Sequence, residues 1–183
     1  MIIGERVRLR LVRESDLGAL CVHLANLSSR GDFFPTGLMS ETRLNTSFAD
    51  NGFWDDEEGM LLIVTPDDEI VGEIEFFPIT HYLQGYELSY QLFDGRHAGN
   101  GYTTEAVGLL TDYLFNRKRV NRIQLNIHPG NSASKRVAEK SGYSFESVMR
   151  QCWFHRGVFH DLEVWSMVRS EWVAAPNAPA PPG

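Results

Sequence analysis

Residues 86–115 constrain the fold most: an alternating strand, a turn with two glycines and a helix follow one another directly. Tyr86, Leu88, Tyr90 and Leu92 alternate with Glu87, Ser89 and Gln91, the period of a strand with two unlike faces. Arg96-His97-Ala98-Gly99-Asn100-Gly101-Tyr102-Thr103-Thr104 comes next, and Ala106, Leu109, Leu110, Tyr113 and Leu114 then repeat at helical spacing. Glycines at a helix start let backbone N–H groups approach a ligand without a Cβ in the way, beside the positive end of the helix. That combination makes a cradle for a phosphate or pyrophosphate, with Arg96 placed to add a full charge. Gly99 and Gly101 also suffice merely to shape a tight turn, and the residues alone leave both readings open. The dinucleotide-binding fingerprint is not met, since Thr104 stands at the third glycine position, and no Gly-Lys-Ser/Thr follows as in a P-loop.

Around this unit, strands and helices alternate. Residues 7–11, with Arg6, Arg8 and Arg10 interleaved, read as an edge strand with one wet face. Ser15 or Asp16 caps a helix to about Asn26, and Ser40 caps a second, shorter one. The continuous apolar run 60–64 predicts a strand buried on both faces, and Pro66-Asp67-Asp68 turns it into a hairpin partner at 70–77. A strand at 122–128, a helix over about 132–141 ended by Gly142, and strands at 145–154 and 158–168 complete the pattern. Residues 1–172 form one domain, and the Ala/Pro-rich segment 173–183 is expected to be disordered.

Composition narrows the function. With 43% hydrophobic and 22% charged residues, 183 residues can bury a real core. A net charge of −7 argues against a nucleic-acid partner, and no apolar run reaches the roughly 20 residues of a membrane span. Cys21 and Cys152 cannot form a disulfide framework, and no signal-peptide pattern opens the chain, so a cytoplasmic location is expected. The six histidines show no HxH or HExxH spacing, so no metal is expected.

Arg96, Gly99, Gly101, Tyr102, Thr104, Glu105 and Ala106 together resemble the acetyl-coenzyme A pyrophosphate loop of the GNAT superfamily. A second block, Asn131, Ser134, Val137, Glu139, Lys140, Gly142 and Tyr143, resembles the signature of its RimJ/RimL-like branch, at the expected separation and with a strand between. The resemblance covers nearly the whole chain except the tail. It implies an α/β fold: a mixed, mostly antiparallel seven-stranded sheet with splayed central strands and helices on both faces. It also implies an acetyl-CoA-dependent N-acetyltransferase. Backbone groups near Leu92 and Phe93 then hold the pantetheine as an added strand would. The N–H groups of Gly99, Asn100, Gly101, Tyr102, Thr103 and Thr104 take the pyrophosphate with Arg96, and Asn131 reaches a pantetheine amide.

The chemistry needs a base, because an alkyl amine with a pKa of about 10 is protonated at neutral pH. Glu87, on the strand leading into the splay, is the first candidate; Glu73, Glu75 and Asp161 are the others, and a solvent-facing or ion-paired role for Glu87 stays open. Many members of the superfamily protonate the leaving thiolate with a tyrosine where this chain has Ala138. Ser134 stands where the RimJ/RimL-like branch has a serine; it can donate that proton or hydrogen-bond the sulfur, or else only serve the helix start. Tyr143 is expected in the core, and Phe33, Phe34, Phe53 and Trp54 either line an acceptor pocket or pack. Asp55-Asp56-Glu57-Glu58 is a solvated loop or the mouth of that pocket. The acceptor is an amine-bearing small molecule or a peptide: a protein N-terminus, a polyamine or amino sugar, or an amino-acid-like metabolite. A monomer or homodimer is expected. The alternative is a catalytically inactive CoA-binding regulatory module.

Overall fold

The computed structural model describes residues 1–27, 31–80 and 82–174. Eight strands form one sheet, in the order β1-β2-β3-β4-β5-β6-β8-β7. They are β1 (Ile2–Ile3), β2 (Arg8–Leu11), β3 (Gly59–Val64), β4 (Ile70–Thr80), β5 (Leu83–Leu92), β6 (Arg122–Ile127), β7 (Ser144–His155) and β8 (Val158–Val168). The helices are α1 (Leu17–Ala25), α2 (Glu41–Asn51), α3 (Tyr102–Arg117), α4 (Ser132–Lys140) and α5 (Arg169–Ala174). Every neighbouring pair is antiparallel except β5 and β6, which run parallel because α3 carries the chain between them.

The eighth strand is β1, two residues too short to carry a periodic signal; it covers the outer side of β2. The expectation of a wet edge at 7–11 is thereby corrected. Arg10 is buried, and both its terminal nitrogens bind the carboxylate of Asp16, at 2.7 and 3.0 Å. That pairing holds the Asp16 carboxyl below its ordinary range. It also takes Asp16 away from capping α1: Asp16 occupies the N-cap position but accepts only from the Arg13 N–H and from Arg10. Ser40 does cap α2, accepting from the Arg43 N–H at 3.2 Å.

The sheet is covered on both faces. Ile74, Phe76 and Leu88 pack against Ala106, Val107, Leu110 and Leu114 of α3 and Ala138 of α4. On the other face, Leu62 and Val64 pack against Leu20 and Leu24 of α1 and Leu44 of α2. Several of these side chains have no exposed surface at all, and truncating such a leucine costs roughly 2–5 kcal/mol. Tyr143 lies in the first cluster, with its hydroxyl 2.6 Å from Thr111 Oγ1. Helix α5 runs to Ala174, two residues past the expected domain boundary; residues 175–183, most of the expected tail, lie outside the described residues, as does His81.

One break in this sheet positions everything that follows. β5 and β6 pair only from Gly85↔Arg122 to Glu87↔Gln124, although β5 continues to Leu92 and β6 to Ile127. Beyond Glu87 the two strands part.

Candidate active site

A groove runs along the parting. At its inner end is a cavity of about 240 Å³ whose wall includes Glu87, Tyr90, Asn126, His128 and Ser134, under Phe33, Phe34 and Pro35. Tyr90, Asn131 and Ser134 continue into a second hollow of about 320 Å³ that reaches Leu92, Ala98 and Thr103. The outer end, about 200 Å³, lies between the glycine turn and α4, with Gly99, Gly101, Tyr102, Thr103 and Thr104 facing Arg136 and Lys140. The three hollows share residues in sequence, so they form one channel from the splay to the start of α3.

At the outer end the chain conformation follows from the glycines. Gly99 and Gly101 have φ of +82° and +79°, the left-handed region, and Gly101 is the N-cap of α3. A Cβ on Gly101 would stand 2.6 Å from Arg6 Nη1. The first-turn N–H groups of Tyr102, Thr103 and Thr104 have no intrahelical carbonyl to bond, and they open on the groove. Glu105 does not. Its carboxylate accepts the N–H groups of Glu5, Arg6 and Val7 at 2.6, 2.8 and 3.0 Å, tying the N-terminal segment to the helix.

Arg96 does not line the groove. Its guanidinium pairs with Glu69 at 2.6 Å and with Asp94 at 3.3 Å. Asn100 is turned away too, with its carbonyl on Arg6 and its amide on the His97 carbonyl. The cations that face this end are Arg136 and Lys140 of α4, which the sequence reading missed. Their signal was an i, i+4 basic pair on the helix after Asn131, legible only once α4 is known to lie beside the glycine turn.

Along the splay, the Phe93 N–H donates to the Val71 carbonyl at 3.0 Å, so it belongs to the sheet. Its ring is buried and stacks on His23, with centroids 4.3 Å apart. This corrects the assignment of Phe93 to the pantetheine. Alternation along the strand turns the backbone groups of Leu92, Tyr90 and Leu88 the other way, toward the opening. Asn131 is the N-cap of α4, and its Oδ1 accepts the Ser134 N–H at 3.1 Å. Ser134 Oγ lies 2.6 Å from Tyr90 Oη, a partner that was not foreseen.

Glu87 faces the inner cavity, half-buried. Its Oε2 accepts from Asn126 Nδ2 at 2.6 Å and from Gln124 Nε2 at 3.4 Å. Burial pushes its carboxyl above the ordinary range, and the hydrogen bonds from Gln124 and Asn126 partly oppose that rise. Register places Glu73, Glu75 and Phe77 of β4 beside Gln91, Ser89 and Glu87, so these carboxyls share one face of the sheet. Glu73 is buried and bonded to Gln91. Glu75 lines a separate cavity of about 350 Å³ with Phe53, Glu58 and Asp50; burial, then Glu73 and Glu58, push it up to about 8. Asp161 lies elsewhere, accepting the Gln151 N–H in the β7–β8 hairpin.

Phe33 and Phe34 line the inner cavity and Phe53 the cavity beside Glu75, whereas Trp54 packs on Phe76 and Tyr113. Asp55 and Asp56 are exposed; Asp55 Oδ1 caps the N–H groups of Glu57 and Glu58. His128 lines the inner cavity; its Nε2 lies 3.1 Å from His160 Nδ1, and His160 Nε2 lies 3.3 Å from the His155 carbonyl, though the three are scattered in sequence. Among the described residues no helix is long and apolar enough to cross a membrane.

A sheet opened between two parallel strands, with a channel leading to glycine-braced helix donors and two cations, makes this an α/β protein whose groove can accept an elongated, anionic group. The chain belongs to the acetyltransferase (GNAT) family, whose profile matches residues 6–144. It is 33% identical over 118 residues to a probable N-acetyltransferase, YjcK, of Bacillus subtilis, covering 64% of this chain and 65% of that protein. The chain thus spans just under two thirds of that relative's length. Its fold resembles that of Mycobacterium smegmatis RimJ in complex with CoA-disulfide, at TM-score 0.77 and 20% identity over 95% of this chain and 89% of that one. It also resembles spermidine N-acetyltransferase from Vibrio cholerae in complex with CoA and spermine, at TM-score 0.77 and 18% identity over 92% and 98%.

Proposed function

We propose that this chain is an acetyl-CoA-dependent N-acetyltransferase that passes the acetyl group to a primary amine in a direct ternary complex. The observation that carries this reading is the early end of β5–β6 pairing at Glu87↔Gln124, which leaves one strand edge open along a continuous channel. The backbone of Leu92 and its neighbours supports a pantetheine bound as an added strand. The N–H groups of Gly99 and of residues 101–104, with Arg136 and Lys140, suit the diphosphate. Acetyl-CoA supplies a thioester carbonyl; the protein's task is to align an amine with it and take up a proton.

Glu87 suits that task. It faces the cavity, and among the described residues only one of its carboxylate oxygens is engaged, by Asn126 and Gln124. A carboxyl raised toward neutrality is a better base for an ammonium than an ordinary one, directly or through a water. A covalent acyl-cysteine route has no support, because Cys21 lies on α1 and Cys152 is exposed on β7, both away from the channel. In the adjoining cavity, which shares Phe77 with the inner one, Glu58 and Asp50 favour a cationic acceptor. Protein N-termini, polyamines or amino sugars, and amino-acid-like metabolites all meet that description.

Thiol release from acetyl-CoA, measured with a panel of peptides, polyamines, aminoglycosides and amino acids, tests the proposal. At least one amine should drive release with a ternary-complex rate law. Acetyl-CoA binding without release by any amine would instead establish the inactive CoA-binding module, a reading that the alanine at position 138 favours.

A further inference from the structure

The mechanism above leaves one close pair unused. Tyr90 lies on β5 three residues beyond Glu87, an odd spacing that turns it to the opposite face, toward α3 and α4. Its hydroxyl meets Ser134 Oγ at 2.6 Å, and among the described residues each of these two hydroxyls has the other as its hydrogen-bond partner. Both residues line the inner cavity and the next hollow outward, where the channel passes from the acceptor side to the pantetheine side. The Ser134 backbone is fixed independently by Asn131. Ala138, fully buried on the same helix, offers the channel no donor.

We propose that Tyr90 is a positioning residue: it donates to Ser134 Oγ and so directs the one Ser134 proton into the channel, toward the sulfur of the leaving thiolate. This rests on the donor-channel reading above. The direction follows from acidity. A phenol is the stronger acid of the two, so in a short hydroxyl–hydroxyl bond it donates and the alcohol accepts. Ser134 then has a proton with no acceptor for it among the described residues. A donor aimed where negative charge develops stabilises the transition state more than the ground state.

The same pair does not act as a proton source. The Tyr90 phenol is pushed up to about 12 by burial, far above a thiol of about 8.5. Passing a proton from Tyr90 through Ser134 to the thiolate therefore runs uphill. The C–S bond breaks with its electron pair on sulfur, Ser134 keeps its proton while bonding to that sulfur, and the thiolate is protonated after it leaves.

Tyr90→Phe, Ser134→Ala and the double variant of the full chain test this. Each single change should lower kcat about tenfold with the KM for acetyl-CoA within about twofold, the mark of an interaction made only in the transition state. The double variant should lose no more than the worse single variant. Ser134→Thr, which keeps a hydroxyl, should recover most of kcat. A second readout addresses the sulfur directly. Wild-type protein should prefer coenzyme A over desulfo-coenzyme A increasingly as pH rises through the thiol pKa, and Tyr90→Phe should flatten that rise. Wild-type kcat in either single variant, multiplying losses in the double, or an unchanged preference in Tyr90→Phe overturns the proposal. If Tyr90→Phe fails to fold, Tyr90→Met, which fills the space without a hydroxyl, decides through the same kcat and preference measurements. A wild type that neither binds coenzyme A nor releases it from acetyl-CoA overturns the channel reading itself and this proposal with it.

Discussion

Asn126 Nδ2 donates to Glu87 Oε2 across 2.6 Å, just past the last paired residues of β5 and β6. The bond spans the strands where they separate, so it fixes the carboxylate at the mouth of the opening. It also stabilises the charged form of Glu87 against the burial that raises its pKa. Replacing Asn126 with Leu removes part of the opposing effect, the bond from Gln124 remaining. The acid limb of kcat/KM should then move to higher pH, which a pH–rate profile over the neutral range measures; a limb that stays put would separate Asn126 from the base.

Glu87→Gln should lower kcat by about 10²–10³-fold, the usual worth of a positioned base. The sign with pH follows from the raised carboxyl. Glu87 works only when ionised, so wild-type activity falls as pH drops through a value above the ordinary carboxylate range, and the glutamine variant should lose that limb. A wild-type profile in Glu87→Gln would pass the role to Glu75.

At the other end of the channel, Gly101→Val combines a φ of +79° with a Cβ set against Arg6. Calorimetry should show acetyl-CoA affinity sharply reduced. Arg136→Ala with Lys140→Ala should weaken coenzyme A by about tenfold in a salt-dependent way, while a pantetheine thioester lacking the diphosphate is unaffected.

Glu75 supplies a stability test. Its folded pKa, about 8, lies above the unfolded value, so folding favours its protonated form. That contribution is complete below about pH 4.5 and is lost as pH rises through 8. Glu75→Gln should therefore melt with the wild type near pH 5 and several degrees above it near pH 9, as read by calorimetric Tm at both values.

Glu105→Ala leaves three N–H groups of residues 5–7 without their acceptor. It should cost about 2–3 kcal/mol in denaturant unfolding. Because it also frees the segment carrying Arg6, which bonds the Asn100 carbonyl beside the glycine turn, coenzyme A affinity should fall with it.

Much of this was legible in the chain. Period-2 alternation at 86–92 and helical spacing at 106–114 are local properties, and both lie inside the longer elements β5 and α3. Glycine permits the positive φ found at Gly99 and Gly101, but residue type alone does not require it. Differences came where a side chain's partner lies on another element, near or far in sequence. The alternation at 7–11 puts Arg10 on a wet face because strand period alone does not say that Asp16, six residues on, folds back over it. For Arg96, the sequence's candidate for the diphosphate, Glu69, 27 residues away, holds the guanidinium, and α4 supplies the facing cations.

The sequence by itself determined the order of elements, the glycine-braced start of α3 and the family, because each is written in residues adjacent along the chain. Only the tertiary structure decided which face of β5 holds Glu87 and which holds Tyr90, that Asn126 and Ser134 are their partners, and where β5 and β6 part. Those relations span 39 and 44 residues. They depend on strand register and helix placement, which packing of the whole core sets and no local pattern encodes.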